Sequence, residues 1–228
     1  MAGFFSQEQP KGVSRIFFLE TGGRGELSAR QACAVESAAR LHPSWTVHLL
    51  SVPNKHGSRA NAENPFARVL QAIPNVVIKE IKPEEAFRGT PLEPWYESGA
   101  LNKSAHPVEH LADALRLAET FHRGGIYLDT DVVVLRSLAS LTLPFISQSP
   151  TVLPHHLFLC VHYTQWRRFF KSSTSHEAWS SCGQSYVMHV YNKMSSQEPA
   201  VSGCAYRQAA KKYCPKSLQQ SLTLAGSF

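Results

Sequence analysis

Residues 108–125, VEHLADALRLAETFHRGG, place Leu111, Ala114, Leu115, Ala118 and Phe121 or His122 at i, i+3, i+4, i+7 spacing. That spacing predicts a helix with a single apolar stripe. Gly124 and Gly125 end the pattern where a left-handed cap is wanted. An apolar run, residues 126–128, follows at once. A helix that delivers the chain straight into a strand is the second half of a crossover between parallel strands. The earlier part of the chain has the same grammar. Residues 13–21, VSRIFFLET, read as a buried first strand with a loop at Gly22-Gly23. Residues 28–42 read as a helix with Ser28 as N-cap and Pro43 beyond its end. Residues 45–52 and 74–81 read as a second and a third strand, and residues 53–65 as a polar loop. This alternation predicts an α/β fold with a Rossmann-like, mostly parallel sheet flanked by helices.

Two carboxylates, Asp129 and Asp131, follow the last of these strands inside an otherwise apolar stretch. Buried charge is costly unless paired. Two carboxylates on one side repel unless a cation lies between them or water reaches them. One reading ends the strand at Leu128 and leaves both side chains in a turn. The other is a hard-metal site at the carboxyl end of a strand, the edge where ligands collect in open α/β sheets. Mn²⁺ or Mg²⁺ takes oxygen ligands near-octahedrally, commonly one or two carboxylates plus phosphate oxygens and water. Such an ion would neutralise a diphosphate leaving group. On the helix before them, Asp113 and Arg116 are three apart and share a face away from the apolar stripe. They read as an exposed ion pair worth a few tenths of a kcal/mol, or as an Arg116 that reaches an anionic or polyol ligand.

The chain has 228 residues, 43% hydrophobic and 18% charged, enough for one core or a core with a small appendage. The net charge of +6 permits anionic partners. The bases are scattered, however, with Arg167-Arg168 and Lys211-Lys212 the densest groups, so no nucleic-acid partner is expected. No run is apolar enough to cross a bilayer, and the start lacks a secretory signal. Cys33, Cys160, Cys182, Cys204 and Cys214 suit either disulfides or reduced thiols, and their pairing stays open. Beyond Leu141 the pattern loosens. Residues 185–193 read as a strand carrying His189 and Asn192, residues 203–215 as a helix, and residues 216–228 as weakly structured. His189 by itself reads as a core or rim histidine, His155, His156 and His162 as surface residues, and Trp166 and Trp179 as core aromatics.

Several blocks, ADALRLAETFHRGGIYLDTDVVVLRSL, FFLET, CAVESAARLHP, TPLEPWY, YVMHVYNK and KKYCP, together resemble the α1,4-glycosyltransferase family over most of residues 16–215. The resemblance implies a GT-A-type fold and a metal-dependent, retaining transfer. A hexose, galactose or N-acetylhexosamine, would pass from a UDP-sugar to a glycolipid or glycoprotein glycan in α1,4 linkage, with Mn²⁺ (or Mg²⁺) as cofactor. It also implies the Golgi lumen and a membrane anchor, which this chain does not contain. By matching positions, Asp129 and Asp131 form the DxD motif. Asp131 is the direct metal ligand and Asp129 also touches ribose or sugar. Asp113 and Arg116 hold the donor sugar, Glu20 and Thr21 border the uridine, and His189 is a metal or diphosphate ligand. Tyr191 stands where tryptophan is usual. No residue is assigned as the catalytic group. The family's NGAF-like and HGP-like acceptor-side blocks are missing, because residues 132–146 lead quickly into residues 157–170. The expected organisation is therefore an arm at 1–12, a donor-binding α/β domain at 13–141, and a shortened acceptor-side region at 142–228, with the sheet incomplete in the C-terminal half. The alternative expectation is a truncated, inactive member that binds nucleotide at most.

Overall fold

The computed structural model describes residues 14–22, 27–53, 64–141 and 152–228. The arm at 1–12 and most of the expected junction after Leu141 lie outside these residues. The elements run β1 (Arg15–Glu20), α1 (Ala29–Leu41), β2 (Thr46–Ser51), α2 (Pro65–Gln71), β3 (Val76–Glu80), α3 (Pro83–Phe87), α4 (Glu93–Glu97), α5 (Pro107–Arg123), β4 (Ile126–Tyr127) and β5 (Val132–Val134). Then come α6 (Ser175–Ser181), β6 (Val187–His189), α7 (Asn192–Ser195), α8 (Ala205–Tyr213) and α9 (Pro215–Ala225).

β1 to β4 form one parallel sheet in the order β3-β2-β1-β4. Strand alternation sends successive side chains of β1 to opposite faces. Ile16 and Phe18 pack with Ala32, Val35 and Ala38 of α1 and Leu70 of α2. Phe17 and Leu19 pack with Leu115 and Ala118 of α5 and with Phe87 of α3. Both faces are covered, so β1 is apolar almost throughout, as a buried parallel strand requires. The expected α/β architecture with a mostly parallel sheet is what forms.

Local signals account for most element ends. Ser28 caps α1 in a capping box with Gln31. Gly124 ends α5 with φ 61° and ψ −160°, a positive-φ but extended conformation rather than the left-handed cap expected. At Gly125, φ is 103°, and a Cβ would lie 3.0 Å from the Arg15 carbonyl oxygen. Both positions therefore demand glycine, and the second lets β4 come in beside β1.

The structure departs from expectation in several places. Residues 216–228 are not weakly structured: α9 occupies Pro215–Ala225 with Leu218 buried. Its start is held from outside the helix, because the buried Glu36 carboxylate accepts from the Lys216 and Ser217 N–H groups and the Ser217 hydroxyl. A cap supplied 180 residues away leaves no local signature. The strand expected over 185–193 is only Val187–His189, because Tyr191 takes a left-handed conformation and α7 begins at Asn192. Residues 93–97, with Pro94 in the first turn, form the short helix α4.

The C-terminal half adds a two-stranded antiparallel sheet, β5 with β6. α1 binds it to the first sheet. Cys33 is disulfide-bonded to Cys214, Ser37 Oγ accepts from Val134 N–H, and His42 Nε2 accepts from Leu138 N–H. A second disulfide joins Cys160 to Cys182, and Cys204 is buried without one. Trp166 is buried in this half's core, Trp179 is half-buried, and His155, His156 and His162 are exposed. No helix among the described residues is long and apolar enough to cross a membrane.

Candidate metal and donor site

In the order 3-2-1-4 the chain leaves β1 in opposite directions, so the crevice beyond the carboxyl ends of β1 and β4 is the topological switch point. Glu20 ends β1 at this rim with Thr21 just beyond it, and Leu128 N–H still pairs with the Phe17 carbonyl oxygen. Asp129 and Asp131 come next, in the turn between β4 and β5. They are in a turn, as the first reading had it, and they also meet other polar groups there.

Tyr127 donates its hydroxyl to Asp129 Oδ1 at 2.6 Å. Arg116 lies over the Tyr127 ring, 4.6 Å from its centroid. Its Nη2 is 2.7 Å from Asp113 and 3.9 Å from Asp129. The Asp113–Arg116 pair expected on the helix surface is therefore made, and the same guanidinium extends to the DxD turn. Asp113 is 62% exposed and Arg116 34%, so their mutual attraction contributes little to stability. Burial pushes the Tyr127 phenol well above its ordinary pKa, and the bond to Asp129 adds to that. Tyr127 stays a proton donor, so it fixes Asp129 without competing for charge.

Asp131 is more enclosed, 17% exposed in its side chain. Its Oδ2 accepts from Asn192 N–H at 2.9 Å, and its Oδ1 lies 3.4 Å from His189 Nε2. Its carbonyl oxygen accepts from Val190 N–H. Tyr191 makes this convergence possible. It is the one non-glycine residue with positive φ among the described residues, at φ 57° and ψ 57°. A non-glycine residue there costs on the order of 1–3 kcal/mol. Its hydroxyl donates to the Val161 carbonyl oxygen at 2.7 Å, which helps hold the corner. Tyr191 N–H donates to His189 Nδ1 at 3.2 Å. That assigns the imidazole proton to Nε2, facing Asp131. His189 Nε2 thus faces the Asp131 carboxylate at 3.4 Å.

Asp129, Asp131 and His189 each offer a ligand atom within 4.8 Å of the others. Octahedral coordination at about 2.1 Å sets ligand atoms roughly 3–4.2 Å apart. Small side-chain rotations suffice to close the set, and the oxygen-rich donors suit a hard divalent ion. These three residues could hold a divalent metal. Tyr127, Tyr191 and Asn192 were not predicted as site residues. Tyr127 was visible as part of the GGIYLDTD block, whereas the Asn192 contact uses a backbone N–H and leaves no trace in side-chain identity.

The switch point of the sheet thus carries the Asp129-Thr130-Asp131 turn and, from α5, the Asp113–Arg116 pair. Residues 28–150 match the family described as glycosyltransferase sugar-binding region containing DXD motif, and residues 145–221 match the alpha 1,4-glycosyltransferase conserved region. The chain belongs to the glycosyltransferase family with a DXD-containing sugar-binding region, and its C-terminal part matches the alpha 1,4-glycosyltransferase conserved region. It is 28% identical over 265 residues to the lactosylceramide 4-alpha-galactosyltransferase of Mus musculus, covering 88% of this chain and 74% of that protein. It is 26% identical over 274 residues to the alpha-1,4-N-acetylglucosaminyltransferase of Homo sapiens, covering 89% and 79%. Among solved structures, PaToxG glycosyltransferase overlaps with a TM-score of 0.42 at 19% identity, covering 54% of this chain and 44% of that one. The galactosyltransferase LgtC, in complex with donor and acceptor sugar analogs, overlaps with a TM-score of 0.32 at 17% identity, covering 90% and 69%. The 265-residue span matched in the mouse relative is longer than this 228-residue chain. That relative therefore carries residues within the span that have no counterpart here.

Proposed function

We propose that this chain is a metal-dependent glycosyltransferase that moves a hexose, galactose or N-acetylhexosamine, from a UDP-sugar to a glycolipid or glycoprotein glycan in α1,4 linkage with retention. The observation that carries this reading is the meeting of Asp129, Asp131 and His189 at the switch point, within 4.8 Å of one another. Mn²⁺, or Mg²⁺, is the proposed ion, and when bound it supplies Lewis-acid neutralisation of the diphosphate as the sugar leaves. Asp131 and Asp129 are its proposed carboxylate ligands, Asp131 fixed by Asn192 N–H and Asp129 by Tyr127. Asp113 and Arg116 bind donor hydroxyls, their side chains already paired and facing the DxD turn. Glu20, the last residue of β1, and Thr21 after it border the uridine. Residues 13–141 form the donor half, residues 142–228 a shortened acceptor side, and the working compartment is the Golgi lumen.

A second reading has its own support. The relatives' longer matched span favours a member that retains nucleotide binding and has lost transfer. Release of UDP from UDP-galactose and UDP-N-acetylglucosamine, with and without lactose and with Mn²⁺ or chelator, separates the two. Mn²⁺-dependent release that rises with acceptor supports transfer. A thermal shift with UDP plus Mn²⁺ but no release supports the second reading. Neither binding nor release contradicts both.

A further inference from the structure

Arg30, in the first turn of α1, carries a guanidinium in the protein interior, with the residue only 9% exposed. Its hydrogen bonds run to backbone carbonyls and a hydroxyl. Nη1 donates to the Ser195 carbonyl oxygen at 2.7 Å and to Ser195 Oγ at 3.3 Å, and Nη2 donates to the Glu198 carbonyl oxygen. The guanidinium stacks on Phe170 at 4.9 Å and Tyr206 at 5.4 Å, which fixes its plane. Burying a cation for the sake of carbonyl groups is costly, so what those carbonyls hold matters.

They hold the corner that grips Asp131. Ser195 Oγ donates to the Val190 carbonyl oxygen at 2.6 Å, and Val190 N–H donates to the Asp131 carbonyl oxygen at 2.9 Å. Ser195 is also the last residue of α7, whose first residue, Asn192, donates its N–H to Asp131 Oδ2. Between them stands Tyr191, in a conformation that persists only where surrounding contacts enforce it. α7 has four residues, too few to be stable alone. Arg30 clamps its end, and a fork with two donating nitrogens fixes orientation as a lysine would not.

We infer that Arg30 is a positioning residue of the metal site: acting from α1 through Ser195, it holds the Val190–Asn192 corner so that the Asn192 N–H and the His189 imidazole face Asp131. The metal arm of this inference rests on the proposed function, and the corner itself does not. Other ties from α1 run elsewhere, Glu36 to the start of α9 and Ser37 to β5, so loosening them should leave the corner intact.

The test compares Arg30→Met, which keeps the stem and loses the donors, Arg30→Lys, and Glu36→Gln as a control that loosens α1 away from the site. Two readouts are taken on the full chain: hydrogen exchange across residues 187–198, and Mn²⁺ affinity in the presence of UDP by electron paramagnetic resonance. Arg30→Met is expected to speed exchange in that segment at least tenfold, with the β1–β3 amides unchanged, and to weaken Mn²⁺ binding about tenfold. Arg30→Lys should recover part of both, and Glu36→Gln neither effect. Wild-type exchange in Arg30→Met, or equal losses in Arg30→Met and Glu36→Gln, overturns the inference. If the wild-type chain binds no Mn²⁺, the proposed function falls and exchange alone decides here. If Arg30→Met does not fold, Ser195→Ala breaks the same relay, and unchanged exchange in that variant overturns the inference.

Discussion

The two halves of the molecule are held together differently. In the first, three parallel strands of five or six residues share long ladders, and apolar side chains cover both sheet faces. In the second, the β5–β6 sheet has three residue pairs. Val132, Val134 and Val187 of that sheet join the core of the first half, and beside this packing Cys33, Glu36, Ser37, His42 and Arg30 of α1 and its flank each bind a different part of the C-terminal half. A ladder distributes its energy over many equivalent bonds, whereas a stapled region loses much with each staple. The site lies on the seam. Asp129 follows the first sheet, His189 and Asn192 belong to the second half, and Asp131 joins them.

Breaking the staples should show this contrast most strongly. Replacing Cys33 and Cys214 by serine opens a connection spanning 181 residues, which loop-closure reasoning values at about 5 kcal/mol. Urea unfolding is expected to lose several kcal/mol, with proteolysis starting in the C-terminal half. Equal loosening of β1–β3 would break the comparison. Glu36→Ala removes the acceptor for two N–H groups and a hydroxyl at the start of α9 and should cost about 2–3 kcal/mol. Glu36→Gln, keeping one acceptor oxygen, should cost less.

The first half should instead respond to acid. His48 in β2 is held down to about 4, first by burial and then by Arg15 and Arg123 nearby. Unfolded, it titrates near its ordinary 6.5. Between those values the unfolded chain binds more protons, so stability falls as pH drops through that window. Discounted for partial exposure, the loss is about 1–2 kcal/mol by pH 4. His48→Gln should flatten that part of the stability profile, and an unchanged profile would move the acid sensitivity elsewhere. At the seam, Tyr127→Phe deletes one hydrogen bond to Asp129. It should weaken Mn²⁺ binding severalfold, about 1 kcal/mol, with little change in unfolding.

How much of this was legible follows the same division. β1, α1, β2, β3 and α5 were readable because their periodicity is local and their caps, Ser28 and Gly124, sit in sequence beside them. The DxD turn and its Asp113–Arg116 neighbours were readable because carboxylates in an apolar run demand an explanation. The second half was less so. α9 begins on a carboxylate from α1, and β6 stops early because Tyr191 turns the chain left-handed. Disulfide partners 181 residues apart cannot be read from spacing. Arg30 carries no local signal of its role, since nothing nearby in sequence announces the carbonyl groups it meets.

The central claim is that Asp129, Asp131 and His189 act together on a divalent ion carried with a nucleotide. Titrating Mn²⁺ into the wild-type chain and Asp131→Asn, with and without UDP, and following the free-ion paramagnetic resonance signal tests it directly. The wild-type chain should bind one Mn²⁺, more tightly when UDP is present. Asp131→Asn should weaken that binding at least tenfold, about 1.4 kcal/mol, while still unfolding cooperatively. Equal Mn²⁺ binding by the two proteins, or binding indifferent to UDP, would contradict it.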